Sequence, residues 1–299
     1  MTTMNNGSTI KLSIVIRCRN EAKALRNVLA ALKAQRCDFG WEVLVVDNES
    51  KDDTRQLATE FGARVVPITS RAFTYGRAIN LGVSQSAGDL VMLLSAHSLP
   101  IGSYFLAGAV APFDDQQVAA ARCLAVSSVL QLEGWHQPKD IHYKSAQEQQ
   151  QAEAGSAWLG EYPTAGCCVL RRSVWEEIKF DEQLEANEDK QWALRVLAKG
   201  YKIRCCAEAI WLHTRSYGRI ARIRREARQH VALYRITKRA PLSLGRYLWL
   251  IVRTFLIAPL VAMRYVAENV AWATSLVSIP WRARYEPEIG SVDDFEEFR

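Results

Sequence analysis

The sequence feature that most constrains the fold is an alternation of short, continuous apolar runs with stretches of helical spacing. Residues 12–16 (LSIVI) and 42–47 (EVLVVD) are apolar runs rich in β-branched side chains, and residues 22–35 between them place apolar side chains near helical spacing. Continuous runs of this length are typical of strands that are buried on both faces, as in parallel sheets. The pattern therefore predicts a β-α-β unit at the start of the chain.

The same alternation continues along the chain. It favours an α/β fold with an open, doubly wound, mostly parallel sheet, whose ligand lies at the carboxyl ends of the strands. The later strands are expected near residues 64–67, 90–94, 119–127, 165–170 and 202–206, and the later helices near 53–61, 76–86 and 188–199.

Composition places the chain among globular proteins. Of its 299 residues 49% are apolar and 23% are charged, which is enough apolar surface for a sizeable core. The cysteines include two adjacent pairs and no C-x-x-C spacing, so we expect reduced thiols. No charged segment followed by an apolar run opens the sequence, so no secretory signal is predicted. These features indicate a cytosolic protein with a flexible N-terminus at residues 1–9.

Polar side chains follow the first two predicted strands. A carboxylate at a strand end can accept hydrogen bonds from a nucleobase or ribose, and the N–H groups that open the next helix favour phosphate. The alternative is that some of these residues only cap helices and form turns. The candidates for nucleotide binding are Arg17, Arg19, Asn20 and Glu21 after the first strand, and Asp47 and Ser50 after the second.

Four segments of the chain resemble glycosyltransferase family 2. They span about residues 11–215 in the family's order, and this resemblance implies a GT-A, Rossmann-like fold, a nucleotide-sugar donor and inversion at the anomeric carbon. The segments are IVIRCRNEAKALRNVLAAL, VLVVDNESKDDT, FTYGRAINLGVSQSAGDLVMLLSAHSLP and ANEDKQWALRVLAKGYKI.

The third segment departs from the family pattern where a D-x-D-like motif binds a divalent metal on the donor diphosphate. Ser95-Ala96-His97 stands there instead. A neutral imidazole suits Mn²⁺ better than Mg²⁺, since hard ions prefer oxygen ligands. One hypothesis pairs His97 with His213 on one metal ion. In the other, His97 with Ser95 serves the diphosphate without a metal, and Arg215 helps to neutralise the leaving group.

The resemblance assigns Asp189 of the fourth segment as the general base, with Glu188 beside it. A positioned carboxylate makes the acceptor hydroxyl a better nucleophile. Acidic residues in a first helical turn also complement the helix macrodipole, which is the structural alternative. By the same resemblance Phe73, Tyr75, Gly76, Arg77 and Asn80 belong to the segment beside the donor. Gly76 would allow backbone to approach the ligand, and Arg77 would contact the phosphate or base, the alternative being that Arg77 is solvated surface.

The chain ends in a basic, apolar helical extension. Residues 244–263 have about the length of a membrane-spanning helix, but Arg253 at their centre disfavours a simple span. We expect a helical region at 219–285 that lies on the anionic inner face of the membrane, followed by an acidic tail at 286–299. The alternative is that these helices pack on the core or mediate a dimer. A nucleic-acid partner is not expected, because no base-reading module is recognised.

The sequence therefore predicts an enzyme that moves a hexose or deoxyhexose from a nucleotide-sugar to a hydroxyl of a lipid-linked or envelope glycan. Its catalytic domain would span residues 10–218, with a nucleotide-binding half at 10–100 and an acceptor half at 101–218. The alternative is a nucleotide-binding scaffold protein that has lost its metal motif. A nucleotidylyltransferase is disfavoured, because residues 12–21 hold no glycine-rich loop.

Overall fold

The computed structural model describes residues 10–126, 162–214 and 219–237, and its elements are numbered here over these residues. The strands are β1 (Ile10–Cys18), β2 (Gly40–Asp47), β3 (Arg64–Pro67), β4 (Leu90–Ser95), β5 (Ser98–Pro100), β6 (Val118–Val126), β7 (Cys167–Arg171) and β8 (Lys202–His213). The helices are α1 (Ala22–Lys33), α2 (Thr54–Glu60), α3 (Tyr75–Ser84), α4 (Phe105–Val110), α5 (Arg172–Glu177), α6 (Glu188–Ala198) and α7 (Arg219–Thr237). Short 3₁₀ turns lie at Ser70–Ala72 and Ala111–Asp114.

The strands form one mixed sheet in the order β3-β2-β1-β4-β7-β6-β8-β5. Pairs β1–β2, β1–β4, β2–β3 and β6–β8 are parallel, whereas β4–β7, β6–β7 and β5–β8 are antiparallel. The predicted α/β class with a mostly parallel sheet is confirmed. The antiparallel pairs enter only after residue 95, where the simple alternation in the sequence also ends.

One edge of the sheet collects the strand ends that matter for function. It holds the carboxyl ends of β1, β2, β3, β4, β6 and β8, and also the amino ends of β5 and β7, which run the other way. We call it the carboxyl edge. Open α/β sheets bind ligands there, because the loops and helix starts that follow the strands converge at this edge.

Strand β1 shows why the continuous apolar runs are needed. Leu12, Ile14 and Ile16 pack into one core cluster with α1, while Val15 packs into the cluster on the other face with α3 and α6. Successive side chains of a strand point to opposite faces, so a strand covered on both sides has no polar face. The continuous apolar runs in the sequence therefore reflect burial of these strands on both faces.

Strand β8 is longer than the sequence predicted. We expected it to end near residue 206, but it continues to His213 and its last residues pair with β5, Ser98 opposite His213. A register shift at Cys123/Leu124 of β6 accommodates this extension. Its consequence is that His213 reaches the carboxyl edge.

The chain divides into two compact units. The first holds residues 1–183 and 188–215, and the second holds residues 184–187 and 216–299. In the second unit the side-chain amide of Asn187 donates to the carbonyl of Gln229 in α7 at 2.7 Å. Over the described residues no helix is long and apolar enough to cross a membrane. The predicted segments 1–9, 244–263 and 286–299, and Arg215, lie outside the described residues.

Candidate active site

A mostly buried arginine at the end of β1 contacts Glu188, the first of the two carboxylates that open α6. Nη1 of Arg17 donates to Oε1 of Glu188 at 3.3 Å, and Nη2 donates to the carbonyl of Ala165 at 3.0 Å. Only 12% of the Arg17 side chain and 7% of the Glu188 side chain are exposed. The pair therefore lies inside the protein, where charge interactions are stronger than in water.

Burial changes the acidity of Glu188. Loss of solvation raises the pKa of its carboxyl group to about 7, and the negative charge of Asp189 pushes in the same direction. The guanidinium of Arg17 opposes both effects. Near neutral pH Glu188 is thus divided between its protonated and ionised forms.

Asp189 has a different setting. It is half-buried, and its two oxygens accept backbone hydrogen bonds at 2.8 Å, Oδ2 from Ala165 and Oδ1 from Lys190. Two fixed N–H donors hold the carboxylate in one orientation. The next side chain, Lys190, donates to the carbonyls of Tyr162 and Pro163, and burial lowers its pKa.

The loops after β1 and β2 are fastened to each other. The backbone N–H of Asn20 donates to Ser50 Oγ at 2.9 Å, while Asn20 Oδ1 accepts from the N–H of Lys51 at 2.7 Å. Asn20 has φ of 49°, which Asn tolerates better than most residues. The structural alternative for Asn20 and Ser50 therefore applies, since both serve the loops themselves.

Asp47 is fully buried at the end of β2. Its carboxylate accepts from the N–H of Ser50 and forms a 2.5 Å ion pair with Nε of Arg55, a residue of α2 that is half-exposed. Arg55 thus occupies Oδ2 of the carboxylate that we expected to bind the nucleoside. This ion pair could not be predicted from a local pattern, because the two residues belong to different elements.

His97, His213 and Glu21 form a cluster at the carboxyl edge. Nδ1 of His97 lies 2.9 Å from Glu21 Oε1, and the two imidazole rings meet edge to face with centroids 5.1 Å apart. Strand β4 ends at Ser95, so His97 stands in a turn. His97 therefore does not continue the alternation of β4, and it lies next to His213, as the hypothesis of a shared ion requires.

Arg77 and Asn80 have structural partners. Asn80 Nδ2 donates to Phe180 and Glu182, and its Oδ1 accepts from the Trp175 indole and the Phe180 N–H, which uses its full hydrogen-bonding capacity. Arg77 pairs with Glu182 at 3.0 Å. Placing Asn80 in the donor site was wrong, because its side chain is buried and bound to residues 175–182. Arg77 is bound to Glu182 of the same segment.

Gly76 is also a packing residue. A Cβ at this position would lie 2.1 Å from the backbone oxygen of Asp181. The close approach that requires glycine is therefore to the chain itself, and the expectation that Gly76 makes room for the ligand is corrected.

Sequence reasoning missed two contributors to this edge. Ala165 acts through its backbone, which no residue type reveals, and Arg55 acts through an ion pair between two elements. Tyr75, which the resemblance places in the segment beside the donor, is exposed and contacts Arg17. Arg19 is half-buried near the other candidates, and Arg215 is outside the described residues.

Comparison with known proteins decides the family. The family model described as glycosyl transferase family 2 matches residues 13–179, which is more than half of the chain. The chain belongs to glycosyltransferase family 2. The match covers β1 to α5 and thus most of the sheet, but it stops before Glu188 and Asp189.

Relatives of this glycosyltransferase carry specific names. It is 27% identical over 224 residues to the O-antigen chain rhamnosyltransferase RfbN of Salmonella typhimurium, which covers 70% of this chain and 68% of the relative. Another relative, the O-antigen chain rhamnosyltransferase WbaN of Salmonella anatum, is 26% identical over 59% of this chain and 57% of its own length.

Solved structures show the fold of this glycosyltransferase. A mannosyltransferase of Pyrobaculum calidifontis, in complex with GDP-mannose and Mn²⁺, superposes with a TM-score of 0.62 over 92% of this chain and 88% of its own, at 16% identity. Glucosyl-3-phosphoglycerate synthase of Mycobacterium tuberculosis, solved with Mn²⁺ and UDP, gives 0.54 over 77% and 80% at 17% identity. The predicted GT-A fold is confirmed.

Both of those solved structures contain Mn²⁺, and the side chains that the structure describes can be compared with what such a metal site needs. Across residues 10–126, 162–214 and 219–237 no three His, Cys, Asp or Glu side chains come together as a metal site. His97 and His213 adjoin, but Nδ1 of His97 already faces Glu21. The described residues thus do not fit a metal site of three protein ligands.

Proposed function

We propose that this protein is an inverting glycosyltransferase in which Asp189 is the general base. The observation that carries the proposal is the setting of Asp189 at the carboxyl edge, half-buried and held by the N–H groups of Ala165 and Lys190. A base must be oriented toward the proton that it removes, and this carboxylate has both its oxygens fixed by backbone. Glu188 is buried in an ion pair with Arg17 and would have a supporting role beside the base.

The proposed reaction is a single displacement. Asp189 takes the proton of an acceptor hydroxyl while that oxygen forms a bond to the anomeric carbon. The bond from this carbon to the donor phosphate breaks, and the nucleoside diphosphate leaves with the electron pair. Because attack and departure occur on opposite sides, the configuration at the anomeric carbon inverts. Proximity and orientation of the two substrates supply much of the acceleration.

The donor is proposed to bind along the ends of β1, β2 and β4. Asp47 would accept from the nucleoside after Arg55 moves, and His97 with Glu21 and His213 would face the diphosphate side. Arg19, which follows β1, is a basic candidate for the same ligand, and Ser95 ends β4. Whether Mn²⁺ assists the diphosphate here is part of the test described below.

The sugar and acceptor classes are proposed from the relatives. Two relatives are named as O-antigen chain rhamnosyltransferases, and a structural neighbour is a mannosyltransferase bound to GDP-mannose. We therefore propose transfer of a deoxyhexose or hexose to a hydroxyl of a growing envelope polysaccharide. The acceptor would be lipid-linked, which agrees with the proposed attachment of residues 219–285 to the inner face of the membrane.

The test is a screen of nucleotide sugars for binding, hydrolysis and transfer. We expect one nucleoside diphosphate sugar to bind by calorimetry and to release its diphosphate, measured with Mn²⁺, with Mg²⁺ and with EDTA. Activity that survives EDTA supports diphosphate binding by protein side chains alone, whereas activity restored only by Mn²⁺ supports an ion at His97 and His213. Binding of a nucleotide without turnover of any sugar would instead support the scaffold alternative.

A further inference from the structure

An exposed aromatic side chain lies beside Arg17, the arginine that contacts Glu188. Tyr75 opens α3 and is 43% exposed, and Tyr104 is the other large apolar or aromatic side chain exposed among the described residues. The half-buried ring of Phe73 meets Tyr75 edge to face, with centroids 5.4 Å apart. Single exposed aromatic side chains are common on protein surfaces, but Tyr75 differs from them in its contact with Arg17.

Arg17 joins this ring to the catalytic carboxylates. Its guanidinium carbon lies 5.2 Å from the centroid of Tyr75, within the range of a cation–π contact. The same guanidinium contacts Glu188, and it donates to the carbonyl of Ala165, whose N–H donates to Asp189. Through Arg17, Tyr75 is therefore two contacts away from Glu188 and Ala165, the neighbours of the proposed base on this side.

The chemistry of this surface matches a sugar ring. A pyranose has C–H groups on its faces and hydroxyls around its rim. The negative face of an aromatic ring attracts the C–H groups, while nearby charged side chains bind hydroxyls. Tyr75 supplies the aromatic surface, and the guanidinium of Arg17 is the charged group in contact with it.

The position relative to Asp189 favours the acceptor sugar. An inverting displacement places the attacking hydroxyl and the leaving diphosphate on opposite sides of the anomeric carbon, so the surroundings of the base face the acceptor. The diphosphate candidates form a separate cluster of Glu21, His97 and His213. We propose that Tyr75 is the stacking platform for the acceptor pyranose that carries the attacking hydroxyl. This inference rests on the proposed function, because Asp189 defines the acceptor side.

The experiment compares the wild-type protein with Tyr75→Ala, Tyr75→Phe and Tyr75→Leu. The probes are methyl α-L-rhamnopyranoside and methyl α-D-mannopyranoside, whose dissociation constants are measured by NMR titration, and then their KM in transfer. Loss of the ring in Tyr75→Ala should weaken binding of the preferred glycoside about tenfold and raise its KM equally, with kcat and donor affinity within about twofold. Phe should retain binding, and Leu, which fills space without an aromatic face, should lose it.

The matched control is Tyr104→Ala. Tyr104 is 64% exposed and directly precedes α4. The carbonyl of the adjacent Ser103 accepts a hydrogen bond from the N–H of Arg36, which follows the end of α1. Tyr104 therefore lies at the opposite edge of the sheet from the carboxyl edge. It should leave glycoside binding unchanged. Wild-type binding of neither glycoside, retained binding in Tyr75→Ala or Tyr75→Leu, or an effect on donor affinity alone would overturn the platform. Failure of every donor to transfer would overturn the proposed function instead, and the NMR titration would still decide the role of Tyr75.

Discussion

Asp189 and Glu188 are neighbours in sequence but differ in environment. Asp189 is half-buried with backbone donors on both oxygens, whereas Glu188 is enclosed with Arg17. Helix periodicity explains the difference, since residues one position apart on a helix point about 100° from each other. Two adjacent carboxylates can thus take different roles in one site.

Replacing Asp189 by Asn should abolish transfer and leave donor affinity unchanged, because the proposed base acts on the acceptor. We expect a loss of at least about 10²-fold in kcat, the lower range for a positioned general base. The measurements are transfer rates and calorimetry with the nucleoside diphosphate. Glu182→Gln, at the carboxylate paired with Arg77, is the control and should retain activity. Turnover of Asp189→Asn within about tenfold of wild type would rule out the assignment.

Glu188 should make folding stability depend on pH. Its pKa is raised to about 7 from 4.5 by burial and Asp189, so the folded protein retains a proton that the unfolded chain has released between these values. Stability therefore falls as pH rises through this window, by up to about 3 kcal/mol. Urea unfolding at pH 5 and pH 8 should show this fall in wild type and a smaller one in Glu188→Gln.

The control for this measurement is Glu177→Gln. Glu177 lies at the surface, where hydrogen bonds from Lys199 and Tyr201 lower its pKa, so it is ionised in both states throughout the window. Its variant should keep the wild-type dependence on pH. An unchanged pH dependence in Glu188→Gln would show that Glu188 does not carry the effect.

At the scale of elements, α3 is held against the segment that precedes α6. Asn80 binds Phe180 and Trp175, Arg77 binds Glu182, and Gly76 lies against Asp181. These contacts join α3 to residues that lie 95 to 105 positions later in the chain. They also fix the start of α3, where Tyr75 stands beside Arg17.

Gly76→Ala should destabilise the protein, because its Cβ would overlap the backbone oxygen of Asp181 and neither partner is a flexible side chain. We expect a loss of about 1 to 3 kcal/mol in the free energy of unfolding. Gly166→Ala is the control, since its Cβ would have no neighbour closer than 3.4 Å. Urea unfolding of both variants tests this, and equal stabilities would refute the packing role.

At the scale of the whole molecule, the second unit differs from the first in its basic sequence after β8. Its described part, α7, carries six arginines and one glutamate, and the apolar segment 244–263 follows. Positive charge next to apolar residues is typical of segments that bind anionic membranes. This remains a prediction, because most of the unit lies outside the described residues.

Removal of residues 240–299 should release the protein from anionic vesicles. The full chain should sediment with phosphatidylglycerol vesicles and less with phosphatidylcholine, because about 1 kcal/mol of attraction is expected for each basic residue near the charged surface. Retained nucleotide binding serves as the control for folding of the shortened protein. Equal sedimentation of both proteins would favour the alternative, that these helices pack on the core or form a dimer.

The sequence alone determined the α/β class, the order of the first strands and the family. Buried parallel strands leave an apolar record along the chain, and functional loops at strand ends keep their residue types in order. The carboxylate pair and the closeness of His97 to His213 were also within its reach. These features depend on local patterns or on a resemblance that spans several segments.

Only the tertiary structure decided which polar candidates have partners within the fold. Asn80 and Asp47 look alike as candidates in sequence, yet both are buried and occupied, Asn80 by Phe180 and Asp47 by Arg55. The role of Tyr75 likewise depends on Arg17, 58 positions earlier in the chain. The physical reason is that burial and hydrogen-bond partners come from residues distant in sequence, so a local pattern cannot specify them.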